Sequence, residues 1–333
     1  MLTHVCMLTF GLITQAPTSI TIPSPITPGI DFSVPFASTP KPSPRNRHWN
    51  LSVNPDGFPP DSGNYLPFLQ RRKIARKVEA TFFSDAFNRP RTGGQLYRQR
   101  LAALQSGYIY TQFPPNSFES AWLNTSGQPN YDEWISLLKQ EAEFIATGDG
   151  NRRLGIVLGD SLSLWLPTNG LPEGTLWLNQ GISGDTTSGL LRRISLFANT
   201  RPEVIYVMAG INDLRRGSTD LSVQMNLNAV IRQLRSQHPD AQIVIQSILP
   251  TRFTTLPTDR IGRLNQELAF IARSEGVQFL DLTTDFLDGE GLLRQELTTD
   301  GLHLNHQGYQ VWQRILQQVD NRLIQVRRGV LPI

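Results

Sequence analysis

Cysteine is almost absent from this chain, which has only Cys6 among its 333 residues. A single thiol cannot form an internal disulfide, and it cannot supply a metal cluster that is built on cysteine. Nothing else in the sequence has the spacing of a ligand cluster, so we expect no metal and no organic cofactor. The chemistry of the protein therefore depends on oxygen and nitrogen groups.

Long apolar runs are also lacking, since no run approaches the roughly 18 residues that a membrane-spanning helix needs. We therefore expect a protein that is soluble or peripherally attached to a surface. Residues 1–13 are mildly apolar, but they lack the positive start of a secretory signal and contain His4. The compartment stays open, with a cytoplasmic location favoured over export through this segment.

The charge is unevenly distributed along the chain. The net charge is +3, and residues 1–103 carry 12 Lys and Arg against 5 Asp and Glu, whereas the remainder carries 19 against 23. A basic run could associate weakly with an anionic surface, and the alternative is an ordinary solvated helix face. Its members are Arg71, Arg72, Lys73, Arg76, Lys77, Arg89, Arg91, Arg98 and Arg100. No recognised nucleic-acid motif accompanies the run, so we expect no nucleic-acid partner.

Proline content and hydrophobic periodicity divide the chain into three parts. Twelve of the 23 prolines fall within the first 68 residues, so residues 1–68 are predicted to form a Pro-rich, disordered N-terminal tail or linker. Residues 69–150 are predicted to form a helical N-terminal extension, with helices at 69–83, 94–106 and 131–147. Residues 151–325 are predicted to form the main domain.

Short apolar runs alternate with helix-length periodic segments in the main domain. Strands are predicted at residues 154–158, 175–178, 204–208, 242–246 and 277–280, and helices at 186–198, 221–237, 258–274 and 307–324. This alternation predicts right-handed βαβ crossovers and a parallel sheet that is covered on both faces. The fold class is therefore α/β, a three-layer α/β/α domain whose ligand lies beyond the carboxyl ends of the strands.

Gly159, Asp160 and Ser161 follow the first predicted strand and begin a short helix. A serine at this place has its hydroxyl at the carboxyl edge of the sheet and its N–H at a helix N-terminus, where developing negative charge is stabilised. Ser161 can therefore be both a nucleophile and an oxyanion donor. The alternative is that Asp160 or Ser161 only caps the helix.

Two further strand ends carry candidates for an oxyanion hole. Gly181 follows the second predicted strand, where a main-chain N–H can approach a substrate closely. Asn212 follows the third, and its side-chain amide can donate to an oxyanion. Each residue is ambiguous alone, because glycine and asparagine often serve only the turn.

Asp300 and His303 precede the last predicted helix, and their three-residue spacing lets the carboxylate fold back onto the imidazole. The carboxylate would fix the tautomer and leave the other ring nitrogen to take the proton of a serine. A simple loop hydrogen bond is the alternative for this pair. Because these residues and the three strand ends share one sheet edge, together they predict a hydrolase.

Residues from about 152 to 325 resemble the SGNH, or GDSL-type, serine hydrolase family, whose four sequence blocks are all present. Residues 179–187 are most similar to the branch of thioesterase-I-like and platelet-activating-factor acetylhydrolase-like esterases. The resemblance implies a flavodoxin-like α/β/α fold and a catalytic triad of Ser161, His303 and Asp300. It also implies an oxyanion hole formed by the N–H groups of Ser161 and Gly181 and the side chain of Asn212.

The resemblance implies a serine esterase that hydrolyses carboxylic esters through an acyl-enzyme, with a small-molecule lipid or acylated sugar as substrate. The alternative is a non-catalytic binding module with the same fold, tethered to an envelope surface by its basic N-terminal region. Trp165, Arg252 and Phe253 lie in the loops over the strand ends. They are candidates for contact with the substrate or for ordinary packing.

Overall fold

The computed structural model describes residues 89–148 and 152–327. The tail at 1–68, the candidate helix at 69–83 and the basic residues before Arg89 lie outside the described residues. The division of the chain into three parts therefore stays a prediction, and so does the association of the basic run with an anionic surface.

Within the described residues, five parallel strands form a sheet in the order β2-β1-β3-β4-β5. The strands are β1 (Arg153–Gly159), β2 (Thr175–Gly181), β3 (Val204–Met208), β4 (Gln242–Gln246) and β5 (Gln278–Leu280). The chain first adds β2 on one side of β1 and then crosses to the other side, so the order reverses between β1 and β3. In open parallel sheets, ligands bind at the carboxyl ends of the strands beside such a reversal.

Strands β1, β2 and β3 end level with one another. Gly159 of β1 lies beside Gly181 of β2 and beside Met208 of β3. The segments that follow these three residues therefore begin at the same edge of the sheet. This register brings together side chains that are far apart in the sequence.

Helices cover both faces of the sheet. They are α1 (Gly93–Gln105), α2 (Glu119–Trp122), α3 (Tyr131–Ala146), α4 (Ser161–Leu164), α5 (Thr187–Arg193), α6 (Ile211–Arg215), α7 (Asp220–Gln237), α8 (Thr258–Ser274), α9 (Thr283–Phe286) and α10 (His306–Arg327). No helix in the described ranges is both long enough and apolar enough to cross a bilayer.

Alternate residues of the strands enter two different cores. Ile156 and Ile205 belong to one buried cluster, which includes residues of α7 and α8. Val157 and Tyr206 belong to a second cluster, which includes Trp312 of α10. Because successive side chains of a strand point to opposite faces, this division means that both faces of the sheet are buried. The predicted three-layer α/β/α fold is confirmed.

The predicted strands are present, but the structure moves some of their ends. β2 continues to Gly181, three residues beyond its predicted end at residue 178. The predicted helix at 186–198 is α5 followed by a 3₁₀ turn at Ile194–Phe197. The sequence does not predict α6, because a helix of five residues is too short to show a hydrophobic period.

Helices α1 and α3 match two of the helices predicted in the N-terminal extension. α3 begins with a capping box: Asn130 Oδ1 accepts from the Glu133 N–H, and the Glu133 carboxylate accepts from the Asn130 N–H. Leu138 of α3 packs in one hydrophobic cluster with Leu164 of α4 and Ile182, which follows β2. The helical segment therefore contacts the sheet edge that carries the candidate site residues.

The structure corrects one member of the basic run. Arg100 is fully buried, its guanidinium forms an ion pair with Glu141, and it lies 4.9 Å from the centroid of the Tyr110 ring. A buried and paired arginine cannot bind an external anionic surface, so including Arg100 in that run is wrong. The sequence does not reveal the pairing, because Glu141 is 41 positions away and only the fold brings the two together.

Candidate active site

Ser161, His303 and Asp300 lie in an unbroken line of polar contacts. Ser161 Oγ is 3.1 Å from His303 Nε2, and His303 Nδ1 is 2.7 Å from Asp300 Oδ2. Ser161 is buried, with 6% of its surface exposed, whereas the side chains of His303 and Asp300 are 38% and 51% exposed. The fold therefore brings together the three residues that the sequence places at one sheet edge, in an order that suits proton transfer from a hydroxyl to an imidazole.

The loop that carries His303 is held by its own hydrogen bonds. Asp300 Oδ1 accepts from the N–H groups of Leu302 at 3.0 Å and His303 at 2.8 Å, and Thr298 Oγ1 donates to the His303 carbonyl. Partial burial acts to raise the pKa of Asp300, but hydrogen bonds from the side chain and main chain of His303 outweigh it and hold that pKa below its ordinary value. Asp300 is therefore ionised at neutral pH and can fix the imidazole with Nδ1 as the donor.

Ser161 is the first residue of α4, and this short helix is tied to the sheet. Asp160 caps the helix, since its Oδ1 accepts from the Leu162 N–H at 3.0 Å. Asn179 of β2 donates from Nδ2 to the Ser163 carbonyl at 2.8 Å. The Ser161 N–H has no protein acceptor among the described residues, so it is available to a ligand. Asp160 therefore caps the helix, and the adjacent Ser161 keeps the geometry of a nucleophile.

Asn212 lies in the first turn of α6, immediately after β3. Its Nδ2 donates to the Asp185 carbonyl at 3.0 Å and lies 3.4 Å from Asp160 Oδ2. The second distance is longer than an ordinary N–H···O hydrogen bond. One of the two amide hydrogens is therefore weakly engaged and can donate to an acceptor that enters the site.

The main-chain N–H of Gly181 is not available in the way that the sequence predicts. Gly181 is the last residue of β2, and its N–H donates to Asn179 Oδ1 at 2.9 Å. The lack of a side chain serves packing instead, because a Cβ at this position would overlap the main chain of Leu164. The prediction fails because the side chain of Asn179, two residues earlier in β2, already occupies this N–H.

A different glycine of the same segment, Gly184, offers a free donor. Within the described part of the chain its N–H has no protein acceptor. Its φ is +76°, a conformation that glycine adopts without a steric penalty. Gly184 precedes Asp185, whose carbonyl accepts from Asn212. Sequence reasoning missed this residue, although its place in the loop beyond β2, where no ladder uses the main-chain groups, is a signal that could have found it.

Comparison with known proteins identifies the family. Residues 145–311 match the sequence model of the GDSL-like Lipase/Acylhydrolase family, over half of the chain. The chain belongs to this family. It is therefore a hydrolase that acts on ester bonds.

Two relatives and one solved structure illustrate the similarity of this GDSL hydrolase to known proteins. Platelet-activating factor acetylhydrolase IB subunit alpha1 of Bos taurus is 26% identical over 209 residues, which are 59% of this chain and 86% of the relative. Subunit alpha2 of Gallus gallus is 28% identical over 191 residues, which are 54% of this chain and 79% of the relative. A structure from Streptococcus pneumonia, described by reference to platelet activating factor, has a TM-score of 0.52 and 24% identity, covering 56% of this chain and 92% of that chain. That structural likeness supports the fold alone.

Asp160 gives this GDSL hydrolase a buried carboxyl group next to Ser161. Desolvation raises the pKa of Asp160 to about 7, against the opposing effects of the Leu162 N–H and the charge of His303. The nearby carboxylate of Asp185 adds to the rise. Asp160 therefore changes its protonation near neutral pH.

The three loop residues suggested for substrate contact have different surroundings. Trp165 is half-buried and packs against two hydrophobic clusters, and Phe253 packs against the main core. The Arg252 guanidinium donates to Asp288 Oδ2 at 2.8 Å and to the Leu293 carbonyl at 2.6 Å. Packing and pairing account for all three side chains, and their contact with a substrate stays a prediction.

Among the residues that the structure describes, no three His, Cys, Asp or Glu side chains gather as a metal ion would require. The expectation that the reaction needs no metal and no organic cofactor stays a prediction.

Proposed function

We propose that this hydrolase is a serine esterase that cleaves carboxylic esters through an acyl-enzyme. Ser161 is the nucleophile, His303 is the general base and acid, and Asp300 orients the imidazole. The observation that carries the proposal is the pair of contacts of 3.1 Å between Ser161 Oγ and His303 Nε2 and 2.7 Å between His303 Nδ1 and Asp300 Oδ2. At such distances a base activates a serine hydroxyl and a carboxylate holds the base in place.

The proposed reaction has two steps. In the first, Ser161 Oγ attacks the ester carbonyl carbon while His303 Nε2 takes the hydroxyl proton. The tetrahedral intermediate collapses, the bond to the alcohol oxygen breaks, and His303 gives the proton to the leaving alkoxide. In the second step His303 deprotonates a water molecule that attacks the acyl carbon. The carboxylic acid leaves, and Ser161 regains its proton.

Three donors are proposed to stabilise the oxyanion of the tetrahedral intermediate. Two are the main-chain N–H groups of Ser161 and Gly184, which have no protein acceptor among the described residues. The third is Asn212 Nδ2, with its weakly engaged hydrogen. Gly184 replaces Gly181 in this set because the Gly181 N–H is bonded to Asn179. Donors that are already in place contribute most when charge develops in the transition state.

The proposed substrate is a small acyl ester of a lipid or a sugar. The relatives from Bos taurus and Gallus gallus are named as subunits of platelet-activating factor acetylhydrolase, so an acetylated phospholipid is the first candidate. The exposed His303, which passes the proton to the leaving group, leaves that side of the site open to a bulky alcohol. Assays of acyl esters of increasing chain length beside acetylated sugars separate the two classes.

The decisive experiment compares Ser161→Ala with Ser163→Ala. Ser161→Ala should abolish hydrolysis of p-nitrophenyl acetate and labelling by a fluorophosphonate probe. Ser163 is the matched control because it lies in the same helix and is buried, and its Oγ has no hydrogen-bond partner among the described residues. Ser163→Ala should keep both properties. Undiminished activity of Ser161→Ala would sink the proposal, and a folded wild-type protein that the probe does not label would favour a non-catalytic binding module.

A further inference from the structure

Arg193, the last residue of α5, places one guanidinium group between three segments of the site. Its Nη2 donates to the Gly159 carbonyl at 2.8 Å, and its Nη1 donates to the Gln180 carbonyl at 2.7 Å. Its Nε donates to Asp185 Oδ2 at 2.6 Å. Only 2% of Arg193 is exposed. A single buried cation therefore joins the ends of β1 and β2 and the loop that follows β2.

The acceptors of this guanidinium adjoin the proposed oxyanion donors. Gly159 lies two residues before Ser161, and Asp185 directly follows Gly184. The Asp185 carbonyl also accepts from Asn212 Nδ2 at 3.0 Å. The guanidinium is thus linked to all three donors through the main chain and one carboxylate.

The burial of this ion pair is not explained by stability alone. Charges removed from water lose hydration that their attraction only partly replaces, and apolar substitutes for such pairs often leave stability unchanged. A planar guanidinium does supply fixed hydrogen-bond directions. The chain also keeps space for the carboxylate, since a Cβ at Gly189 would overlap Asp185 Oδ1. Direction and spacing are therefore what Arg193 contributes.

We propose that Arg193 is a positioning residue for ester hydrolysis, which fixes the spacing of the three oxyanion donors. The inference rests on the proposed function. Arg193 acts through Gly159, Gln180 and Asp185, and it does not contact the reacting atoms. A lysine would keep a charge beside Asp185, but its single ammonium cannot meet three acceptors in their separate directions.

Arg193→Lys tests the proposal through the separate values of kcat and KM for p-nitrophenyl acetate. Oxyanion donors act mainly in the transition state, so their displacement lowers kcat while KM stays within about two-fold of wild type. We expect kcat to fall roughly 10- to 100-fold, because small misplacements of active-site groups have effects of that size. If Arg193 had only a structural role, its replacement would lower the stability and the fraction of active protein. The kcat per folded molecule would then not fall in this way.

Arg153→Lys is the matched control. Arg153 is a largely buried arginine of β1 that also forms several hydrogen bonds, donating to Asp320 and Thr175 and pairing with Glu203. Its contacts lie at the amino end of β1, opposite the site, so Arg153→Lys should lower stability but keep kcat within about two-fold of wild type. If the two variants lose kcat equally, the effect is a general one on the fold and the proposal is overturned.

A second variant, Asp185→Asn, keeps the test decisive. The proposed role of Arg193 is overturned if Arg193→Lys folds, as judged by circular dichroism and thermal melting, and retains the wild-type kcat. If Arg193→Lys does not fold, Asp185→Asn decides, since it leaves the two carbonyl contacts in place and removes the charge from the link to the Gly184 segment. Asp185→Asn should lower kcat severalfold, and an unchanged kcat overturns the proposal.

Ser161→Ala in the same series separates failure of this inference from failure of the proposed function. An active Ser161→Ala protein means that the serine esterase mechanism itself is wrong. An inactive Ser161→Ala beside a fully active Arg193→Lys leaves the esterase mechanism in place and removes only the role of Arg193.

Discussion

Arg100 Nη2 donates to the main-chain carbonyl of Asn179, 2.7 Å away, and so joins helix α1 to strand β2. The same asparagine donates from its side chain to the Ser163 carbonyl and accepts from the Gly181 N–H. Asn179 therefore connects the helical segment to the short helix that begins at Ser161. Residues that precede the sheet in sequence help to hold the candidate nucleophile in place.

Replacement of Arg100 by methionine should destabilise the protein strongly. It leaves the buried Glu141 without its partner, and removal of one member of a buried ion pair typically costs about 3–5 kcal/mol. A urea titration followed by circular dichroism gives the free energy of unfolding. The control is Lys139→Met, because Lys139 and Glu143 form an exposed pair on α3 whose loss should cost less than about 0.5 kcal/mol. Equal losses in the two variants would contradict the prediction.

Replacement of Asn212 by alanine should lower kcat on the order of 100- to 1000-fold, as expected when one oxyanion donor is removed. Steady-state kinetics on p-nitrophenyl acetate measures the change, and thermal melting checks the fold, because the bond to Asp185 is lost as well. Asn226→Ala is the control, since it removes a side-chain hydrogen bond to Thr187 outside the proposed oxyanion hole. Equal kcat values for the two variants would exclude Asn212 as a donor.

Alanine substitutions at Gly184 and Gly181 should have opposite profiles. Gly184→Ala has space for its methyl group, but its φ of +76° adds roughly 1–2 kcal/mol of strain and moves the proposed donor, so kcat falls more than stability. Gly181→Ala forces a Cβ into the main chain of Leu164, so stability falls most. Melting temperatures and kcat of both variants test this. A wild-type kcat for Gly184→Ala would remove Gly184 from the oxyanion hole.

Replacement of Asp160 by asparagine should change how stability depends on pH. Burial raises the pKa of Asp160 to about 7 in the folded state, above the ordinary value of 3.8. Folding thus favours the protonated carboxyl group of Asp160. Its contribution to the stability of the protein is complete below pH 3.8 and is lost as the pH rises through about 7.

The wild-type protein should therefore lose up to about 1.4 kcal/mol per pH unit in this window relative to Asp160→Asn, which keeps an oxygen for the Leu162 N–H. Urea titrations of both proteins between pH 4 and pH 7 give the difference, in which the titrating groups that do not interact with Asp160 cancel. Parallel curves for the two proteins would show that Asp160 stays ionised throughout.

The fold could be predicted from the sequence because its strands are short apolar runs between turn residues. The predicted bounds of β3 and β4 agree with the observed ones. Both faces of these strands are buried, and every residue apart from the ends is apolar or β-branched. The end of β2 could not be predicted, because Asn179 and Gln180 are polar residues inside a strand. Their side chains are buried by contacts that only the folded chain supplies, and this is why the sequence predicts Gly181 as a loop donor.

The contacts from Ser161 to Asp300 could be anticipated from the sequence, because the spacing of Asp300 and His303 is local and the sheet edge is shared. The catalytic roles of the three residues stay a prediction. The supports of the site were not predictable in the same way. Arg193 reaches Gly159, 34 positions earlier, and nothing in its local sequence distinguishes it from its exposed neighbour Arg192. Buried arginines reveal their role only through distant partners.

The candidate nucleophile and its base are 142 positions apart, and their contact depends on the level ends of the strands between them. During synthesis the ribosome therefore releases Ser161 long before His303. Until the later strands have joined the sheet, the serine has no base and is as unreactive as any surface hydroxyl. Ester cleavage would thus begin only in a chain whose sheet is assembled. The time at which activity appears therefore reports when folding is complete.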